Sequence, residues 1–330
     1  MVRRYYRPIL TEGEGLPLAG GPFSFARAEV LTRAGSEGVI AAEQVPADWL
    51  DRLTAPRPVL ARWGYRQLPL VMGILNVTPD SFSDGGRHDD PALAGAVAQA
   101  MLADGAAIID VGGESTRPGA RELPVADELA RIKGLFPALS GCAWSIDTRK
   151  AGVMRAALGA GAGLINDVSA LCHDRGALAV VADAQAPVVL MHHQGTPETM
   201  QQAPHYDDAL LDVFDWLEGR IAAVVAGGVA RDRIIADPGI CFGKGVNHNV
   251  ALLKRLSLLH GLGVPILLGA SRKSLIGKLS ADEPVERRLP GSLAIALAGA
   301  SAGVQMLRVH DVPETVQALK LWAAAQPCLG

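Results

Sequence analysis

The sequence predicts an α/β protein, a (β/α)8 TIM barrel with an N-terminal extension, on three observations. Short apolar runs of strand type alternate with Ala- and Leu-rich stretches of helical period from about residue 68 onward. Eight such units occupy about 260 residues, the usual size of a closed barrel. Hydrophobic residues make up 49% of the chain and aromatic residues only 5%, which suits an interior packed with aliphatic side chains. The main alternative is an open, doubly wound parallel sheet.

Composition and charge narrow the functional classes. A formal net charge of −3 gives no broad positive field, so we expect no nucleic-acid partner. The four cysteines show no CxxC pairing, which favours a reducing compartment over a zinc cluster or a disulfide framework. The first ten residues lack the apolar segment of a signal peptide, and no uncharged apolar stretch reaches membrane-spanning length. We therefore expect a cytoplasmic protein with no membrane partner.

The order of elements divides the chain in two. Residues 1–65 carry Gly-Leu-Pro and Gly-Gly-Pro punctuation and one short helical candidate at 47–53, and they form an extension of unknown role. Residues 66–330 form the barrel, in which each strand precedes a helix candidate. The predicted strands are 71–77, 107–112, 144–148, 164–168, 188–192, 234–238, 266–270 and 306–310.

Polar residues stand where nearly every predicted strand ends. They are Asn76, Asp110 with Glu114, Asp147, Asn166 with Asp167, His192, Asp237, Lys273, and Arg308 with His310. A single Asp or Asn in such a place is more often a helix N-cap or a turn former. In a barrel, however, the carboxyl ends of all eight strands meet at one mouth, where reactive groups lie. Together these residues predict a site.

The side chains at this mouth suit a flat, nitrogen-rich heterocycle. Buried carboxylate and amide groups accept paired N–H groups, while an ammonium donates and a guanidinium plane stacks on a ring. The candidates are Asp147, Asn166, Asp237, Lys273 and Arg308.

A second group of residues suits an anion. The run from Ser271 to Ser274 opens a predicted helix with free backbone N–H groups, although an ordinary capped helix explains it equally well. Arg308 and His310 alternate on one strand and therefore face the same side. Alone, His310 would more often be a satisfied core histidine.

Two polar, Gly-rich loops follow the first two strands. The first, at 76–86, holds two carboxylates and one aromatic ring. The second, at 112–119, is too rich in Gly and Pro for a regular element yet carries Arg117. We interpret the second loop as a mobile lid that brings Thr116 and Arg117 to a developing negative charge; a solvated turn is the alternative.

The chain resembles the dihydropteroate synthase family through ordered motifs between about residues 70 and 315. These are MGILNVTPDSFSDGG, DVGGESTRPGA, SIDTRK, LINDVSA, LMHHQGTPETMQ, DPGICFGK, GASRKSLIG and LRVHDVPET. The resemblance implies a folate-biosynthesis transferase that joins p-aminobenzoate to 6-hydroxymethyl-7,8-dihydropterin pyrophosphate. The products are 7,8-dihydropteroate and pyrophosphate, and sulfonamides compete with p-aminobenzoate.

The resemblance also assigns roles to individual residues. The pterin is held by Asp147, Asn166, Asp237 and Lys273, with Arg308 stacked on it and Met191 and Phe242 as apolar neighbours. Asn76 helps to hold a Mg²⁺ that binds pyrophosphate, which Arg308 and His310 also grip. The aminobenzoate lies between Phe82, Pro118 and the helix start at Lys273 and Ser274. Asp84 and Arg117, on the first two loops, become ordered over the site, and Thr116 binds substrate.

The mechanism implied is SN1-like loss of pyrophosphate, with no residue assigned as a base. The chain departs from the family pattern at His193, where many relatives have Met, and at Ile240-Cys241, where Phe-Gly is frequent. The competing interpretations are a methyltetrahydrofolate-dependent methyltransferase and a non-catalytic pterin-binding paralogue. The family commonly forms dimers, so a homodimer is expected, with the Ala/Gly-rich segment at 291–303 as the candidate packing surface.

Overall fold

The computed structural model describes residues 2–11, 13–77, 91–115, 122–195, 200 and 203–326. The N-terminal extension forms an antiparallel sheet in which the third strand pairs with the other three. The strands of this sheet are β1 (Tyr5–Thr11), β2 (Leu16–Pro17), β3 (Ser24–Thr32) and β4 (Gly35–Ala41). The helix α1 (Ala47–Thr54) follows them in the chain. The predicted helix at 47–53 is therefore confirmed, whereas the sheet was not predicted.

The barrel strands follow in chain order. They are β5 (Leu70–Asn76), β6 (Ile108–Gly112), β7 (Trp144–Asp147), β8 (Leu164–Asp167), β9 (Val188–Met191), β10 (Ile234–Asp237), β11 (Leu267–Leu268) and β12 (Met306–Val309). They pair in parallel in the order β10-β9-β8-β7-β6-β5-β12-β11. An isolated parallel bridge between Ala236 and Ile266 joins the two ends. The barrel prediction is confirmed, and the open doubly wound sheet is wrong.

Helices separate the strands, as expected of βα units. They are α2 (Pro91–Ala103), α3 (Val125–Ile132), α4 (Ala151–Gly159), α5 (Ala177–Ala184), α6 (Ala209–Ala226), α7 (Val246–Lys254), α8 (Ser274–Leu279), α9 (Leu289–Ser301) and α10 (Val312–Ala324). Within the part of the chain that the structure describes, no helix combines the length and apolarity needed to cross a membrane.

Side-chain alternation separates a sealed end of the barrel from a polar end. Inward-facing apolar residues near the strand starts form one buried cluster: Leu70, Met72, Ile108, Leu164, Val189, Ile235, Leu267 and Met306. Val59 and Leu60, from the 3-10 helix Pro58–Trp63, join that cluster and close the end. Because the strand period is two, residues two or four positions further along face the same interior at the opposite end.

The part of the extension that precedes the 3-10 helix Pro58–Trp63 packs on the outside of the barrel. Trp49 of α1 stacks on Phe214 of α6, with ring centroids 5.5 Å apart and an interplanar angle of 11°. Arg52 pairs with Glu218 of α6 at 2.7 Å, and Ser257 donates a hydrogen bond of 3.0 Å to the carbonyl of Pro8. The division at residue 65 stays a prediction, but these contacts tie residues on both sides of it together.

His260 is a buried histidine near the extension, and we expect it to make the stability of the fold depend on pH. His260 is fully buried and its Nε2 lies 3.0 Å from the carbonyl of Ala302. Burial, with help from Arg57, lowers the pKa of His260 to about 4. The unfolded chain takes up this proton near pH 6.5, so the stability that neutral His260 provides is lost as the pH falls towards 4. Between pH 7 and 5 the loss from this group is about 2 kcal/mol.

Urea unfolding at pH 7 and pH 5 measures this effect. His260→Gln is expected to be less stable at pH 7, yet to lose about 2 kcal/mol less than the parent chain between the two pH values. The carboxylates titrate in both proteins, so their contribution to the change in unfolding free energy cancels when the two proteins are compared. Equal losses in the two proteins would show that His260 does not contribute.

Candidate functional site

The polar end of the barrel is built around Arg308, two positions beyond Met306 on β12. Its Nε donates to Asp110 Oδ2 at 2.6 Å, and its Nη2 donates to Asp147 Oδ2 at 2.7 Å. The side chain of Arg308 is 20% exposed, whereas those of Asp110 and Asp147 are 0% and 7% exposed. The guanidinium thus faces solvent on one side and two buried carboxylates on the other.

Asp147 can accept further hydrogen bonds from a ligand. Its Oδ1 is buried and has no hydrogen-bond partner among the described residues. Burial raises the pKa of Asp147 to about 7; Arg308 opposes this rise and Asp110 adds to it. Burial alone would lower the pKa of Arg308, but the two carboxylates raise it above the usual value. A ligand N–H group would therefore meet a carboxylate oxygen that is already dehydrated.

Asp110 differs because protein donors occupy both of its oxygens. Ser145 Oγ donates to Oδ1 at 2.6 Å, and Asn166 Nδ2 donates to Oδ2 at 2.8 Å beside the Arg308 contact. The sequence placed Asp110 at a strand end but gave it no site role.

Asp237 and Lys273 complete the polar ring. Asp237 Oδ1 accepts from the backbone N–H of Gly239 at 2.7 Å, and burial raises the pKa of Asp237 although Lys273 opposes it. A Cβ on Gly269 would lie 3.7 Å from both Asp237 Oδ2 and Arg308 Cβ, so these two side chains flank the glycine. Burial lowers the pKa of Lys273.

Lys273 also connects two barrel loops. Its Nζ donates to the carbonyl of Ile240 at 2.7 Å and lies 4.6 Å from the ring centroid of Phe242. Lys273 is the N-cap of α8, and Ser274 is the exposed first residue of that helix. These positions bring the predicted apolar neighbour Phe242 to the predicted pterin ligand Lys273.

Asn76 and Met191 lie at the same end. A Cβ on Gly112 would be 2.9 Å from Asn76 Oδ1 and 3.7 Å from Asp147 Cβ, so the glycine leaves room between neighbouring strands. Met191 is buried at the end of β9. Asn76 makes no side-chain hydrogen bond with a described residue. The described part of the chain contains no cluster of three His, Cys, Asp or Glu side chains suited to a metal ion.

His310 follows β12 and contacts the loop after β11. Its Nδ1 lies 3.0 Å from Ser271 Oγ, and its backbone N–H donates to the same oxygen at 3.2 Å. Ser271, which the sequence analysis placed in the anion-binding run, therefore orients the imidazole.

Five of the predicted site residues lie outside the described residues: Phe82, Asp84, Thr116, Arg117 and Pro118. The ends of the second loop are described. Glu114 Oε1 accepts from the backbone N–H of Leu123 at 2.7 Å and pairs with Lys150 at 2.8 Å. Glu114 Oε2 pairs with Arg149 at 3.1 Å. The carboxylate thus joins the residues before and after segment 116–121.

Removing this charge is expected to destabilise the fold. Glu114 has a side chain that is 2% exposed, so Glu114→Gln leaves Arg149 without this ion pair and Lys150 with Glu128 alone, and is expected to cost about 3 kcal/mol. Glu122→Gln is the matched control, because Glu122 is 55% exposed in its contact with His173 and is expected to cost under about 0.5 kcal/mol. Urea unfolding compares the two, and equal losses would contradict the role of Glu114.

The sequence analysis missed Lys244, which lies in the DPGICFGK motif. Its buried Nζ donates to the carbonyls of Gly239 and Phe242 at 3.0 and 3.1 Å and lies 2.8 Å from His192 Nδ1. Burial lowers the pKa of Lys244 to about 7. Lys244 therefore connects the loop that contains Phe242 with His192, the residue after β9. A lysine two residues beyond Phe242 was the available signal.

The two departures from the family pattern also lie on these loops. His193 Nδ1 lies 3.0 Å from the carbonyl of Gly195, and burial lowers the pKa of His193. Cys241 adopts a left-handed backbone conformation with φ of 69°, and its N–H donates to Asn249 Oδ1 at 2.7 Å. A glycine would adopt this conformation without steric cost.

Known proteins match the chain over the barrel. The profile of the family described as "Pterin binding enzyme" matches residues 72–310. A dihydropteroate synthase of Escherichia coli K12 is 48% identical over 256 residues, which are 77% of this chain and 90% of that protein.

Solved structures agree with that match. The dihydropteroate synthase of Yersinia pestis in complex with a sulfonamide drug has a TM-score of 0.74 and 47% identity, covering 78% of this chain and 94% of its own. The Xanthomonas albilineans enzyme in complex with 7,8-dihydropteroate has a TM-score of 0.71 and 45% identity, covering 79% and 94%.

Proposed function

The chain belongs to the pterin-binding enzymes and among them to the dihydropteroate synthases, and we propose that its barrel mouth forms 7,8-dihydropteroate. The substrates are 6-hydroxymethyl-7,8-dihydropterin pyrophosphate and p-aminobenzoate, and pyrophosphate is released. The observation that carries the proposal is the single polar ring formed by Asp147, Asn166, Asp237, Lys273 and Arg308. The methyltransferase and the non-catalytic paralogue are disfavoured, because the relatives reported above are all synthases.

The pterin is held by the buried acceptors and by Lys273. Asp147 Oδ1 and the carboxylate of Asp237 accept N–H groups of the pterin, while Asn166 offers an amide beside them. The solvent-facing side of Arg308 stacks on the ring. Met191 and Phe242 provide apolar contacts at its edges.

The pyrophosphate lies on the side of Arg308 and His310. Both residues come from one strand end, and Ser271 orients the imidazole. Asn76 would hold Mg²⁺ by its amide oxygen, which fits an ion that usually takes few protein ligands and several waters or phosphate oxygens. When bound, Mg²⁺ would neutralise negative charge on the leaving group.

The aminobenzoate lies nearer the outer rim. We assign its carboxylate to the start of α8 at Lys273 and Ser274, and its ring to Phe82 and Pro118. We assign to Asp84 and Arg117, on the first two loops, a role in covering the reacting groups, and to Thr116 a contact with substrate. Sulfonamides compete at this same place, as their complex with the Yersinia pestis relative supports.

The reaction needs no nucleophilic side chain. The bond between the pterin methylene carbon and the pyrophosphate oxygen breaks in an SN1-like step, and the electron pair leaves with pyrophosphate. Arg308 and His310 stabilise that departing charge, while Asp237 stabilises positive charge spread over the pterin. The neutral aniline nitrogen attacks the methylene carbon and then releases its proton to water. Positioning supplies much of the remaining acceleration, so we assign no base.

The proposal extends to assembly and location. We propose a homodimer, supported by the exposed small residues Ala294 and Ala298 on the outer face of α9. We also propose a cytoplasmic enzyme, which the free thiols of Cys142 and Cys172 support.

Pyrophosphate release tests the proposed function. The purified chain with Mg²⁺ and the dihydropterin pyrophosphate is expected to release pyrophosphate much faster when p-aminobenzoate is added, because the amine captures the pterin cation. A sulfonamide is expected to inhibit in competition with p-aminobenzoate. Release that ignores p-aminobenzoate would contradict the proposed reaction, because it would show hydrolysis rather than condensation.

A further inference from the structure

Arg308 contacts two carboxylates that differ in how many of their oxygens already accept hydrogen bonds from the protein. Asp110 is fully buried, and donors from Ser145, Asn166 and Arg308 occupy its oxygens. Asp147 has one oxygen bound to Arg308 and one buried oxygen with no partner among the described residues. Asp110 therefore has little capacity for a ligand, whereas Asp147 has capacity that the protein leaves unused.

We propose that Asp110 is a positioning residue that keeps the Arg308 guanidinium over the pterin when the pterin displaces it from Asp147. This inference rests on the proposed function, since it concerns the same pocket. Arg308 uses Nε for Asp110 and Nη2 for Asp147, so the second contact can break while the first is kept.

The exchange keeps Asp147 hydrogen-bonded and keeps Arg308 paired with a carboxylate. In the ligand-free pocket the guanidinium satisfies Asp147 Oδ2, and in the complex pterin N–H groups replace it. Arg308 remains paired with Asp110, so its charge stays compensated while its plane turns towards the pterin and the pyrophosphate. Without Asp110, release from Asp147 would leave a charged side chain with no fixed partner and several rotamers.

Asp110 also connects the two halves of the pterin pocket. The oxygen that accepts from Arg308 accepts from Asn166 as well, at 2.6 and 2.8 Å respectively. The Asn166 amide is thus held with its Nδ2 towards Asp110, which leaves its carbonyl oxygen as the atom available to a ligand. One buried carboxylate thereby fixes the orientation of a stacking group and of an amide.

A double-mutant cycle tests the inference. Asp110→Asn, Arg308→Gln and the double variant are compared with the parent chain by calorimetric binding of 6-hydroxymethyl-7,8-dihydropterin pyrophosphate with Mg²⁺, without p-aminobenzoate. Asp110→Asn is expected to weaken binding about 30-fold in the parent and less than about 3-fold when Arg308 is already glutamine. The KM for p-aminobenzoate is expected to change less than about 2-fold, because the side-chain partners of Asp110 among the described residues are Ser145, Asn166 and Arg308, none of which belongs to α8.

Each outcome has one meaning. Equal losses in both backgrounds would overturn the inference, because Asp110 would then act without Arg308. Coupled losses in a protein that forms no dihydropteroate would uphold the inference and overturn the proposed function.

If Asp110→Asn does not fold, the cycle is run with Asp110→Glu, which keeps the charge but displaces the guanidinium, and the coupling between that substitution and Arg308→Gln decides. Ser145→Ala, which removes a contact of Asp110 remote from Arg308, is expected to change binding less than about 5-fold.

Discussion

Replacing Arg308 with glutamine is expected to lower kcat/KM for the dihydropterin pyrophosphate by roughly 1,000-fold. The substitution removes a charge that stabilises departing pyrophosphate and a plane that stacks on the pterin. It also leaves Asp110 and Asp147 buried without their cation, which is expected to cost about 3 to 5 kcal/mol of stability. Steady-state rates of dihydropteroate formation and urea unfolding, measured on the same preparation, separate the two losses.

The control for Arg308 is an exposed arginine that makes no side-chain hydrogen bond or ion pair with a described residue. Arg287 is exposed on the 3-10 helix Val285–Arg287, so Arg287→Gln is expected to change kcat/KM less than about 2-fold. A stable Arg308→Gln protein with nearly full activity would contradict the assignment of Arg308 to the leaving group.

Replacing Lys273 with methionine is expected to lower kcat/KM for the same substrate by about 100 to 1,000-fold. Methionine keeps most of the apolar stem but removes the ammonium that lies between the Ile240 carbonyl and the Phe242 ring. We expect the KM for the dihydropterin pyrophosphate to rise because the pterin loses a donor. Lys273→Arg is not expected to restore activity, since the larger planar group does not fit where a compact ammonium lies.

Lys278 offers the matched comparison on the same short helix. It is exposed near the end of α8, and Lys278→Met is expected to leave both kcat and KM within about 2-fold of the parent values. If both lysine variants lost activity equally, the loss would report damage to α8 rather than a contact with the pterin.

The barrel was predictable because its signals are local and repeated. Each strand is a short apolar run before a helix, and the period of two identifies which residues share the interior with Met72 and Met306. The rule that the carboxyl ends of the strands meet at the barrel mouth placed Asp147, Asn166, Asp237 and Arg308 at one end. The strands themselves are shorter than predicted at several ends, most clearly β11, which spans only Leu267–Leu268.

The extension was not predictable to the same degree. β1 contains Pro8 and joins its partner β3 through a bulge at Ile9 and Leu10, so its alternation is interrupted. β4 is exposed along most of its length and carries two glycines, which weakens a strand signal. The stabilising contacts, such as Trp49 on Phe214, join residues far apart in sequence and leave no local pattern.

The pairing of charges inside the site was also beyond the sequence. Strand ends identified Asp110, Asp147 and Arg308 as neighbours, but not that Arg308 bridges the two carboxylates. Nor did they show that, of the two, Asp147 keeps an oxygen with no hydrogen-bond partner among the described residues. These facts depend on ångström-scale distances across the barrel. Lys244 was missed for a similar reason, because its acceptors come from two loops that meet only in the fold.

The central claim is that this barrel mouth condenses a dihydropterin pyrophosphate with p-aminobenzoate. The most direct measurement is mass-spectrometric detection of 7,8-dihydropteroate made from ring-labelled p-aminobenzoate, with pyrophosphate quantified in the same reaction. The account predicts labelled dihydropteroate and pyrophosphate in equal amounts, both lost in Arg308→Gln and kept in Arg287→Gln. Tight binding of the dihydropterin pyrophosphate by the folded parent chain, with no labelled product, would contradict it.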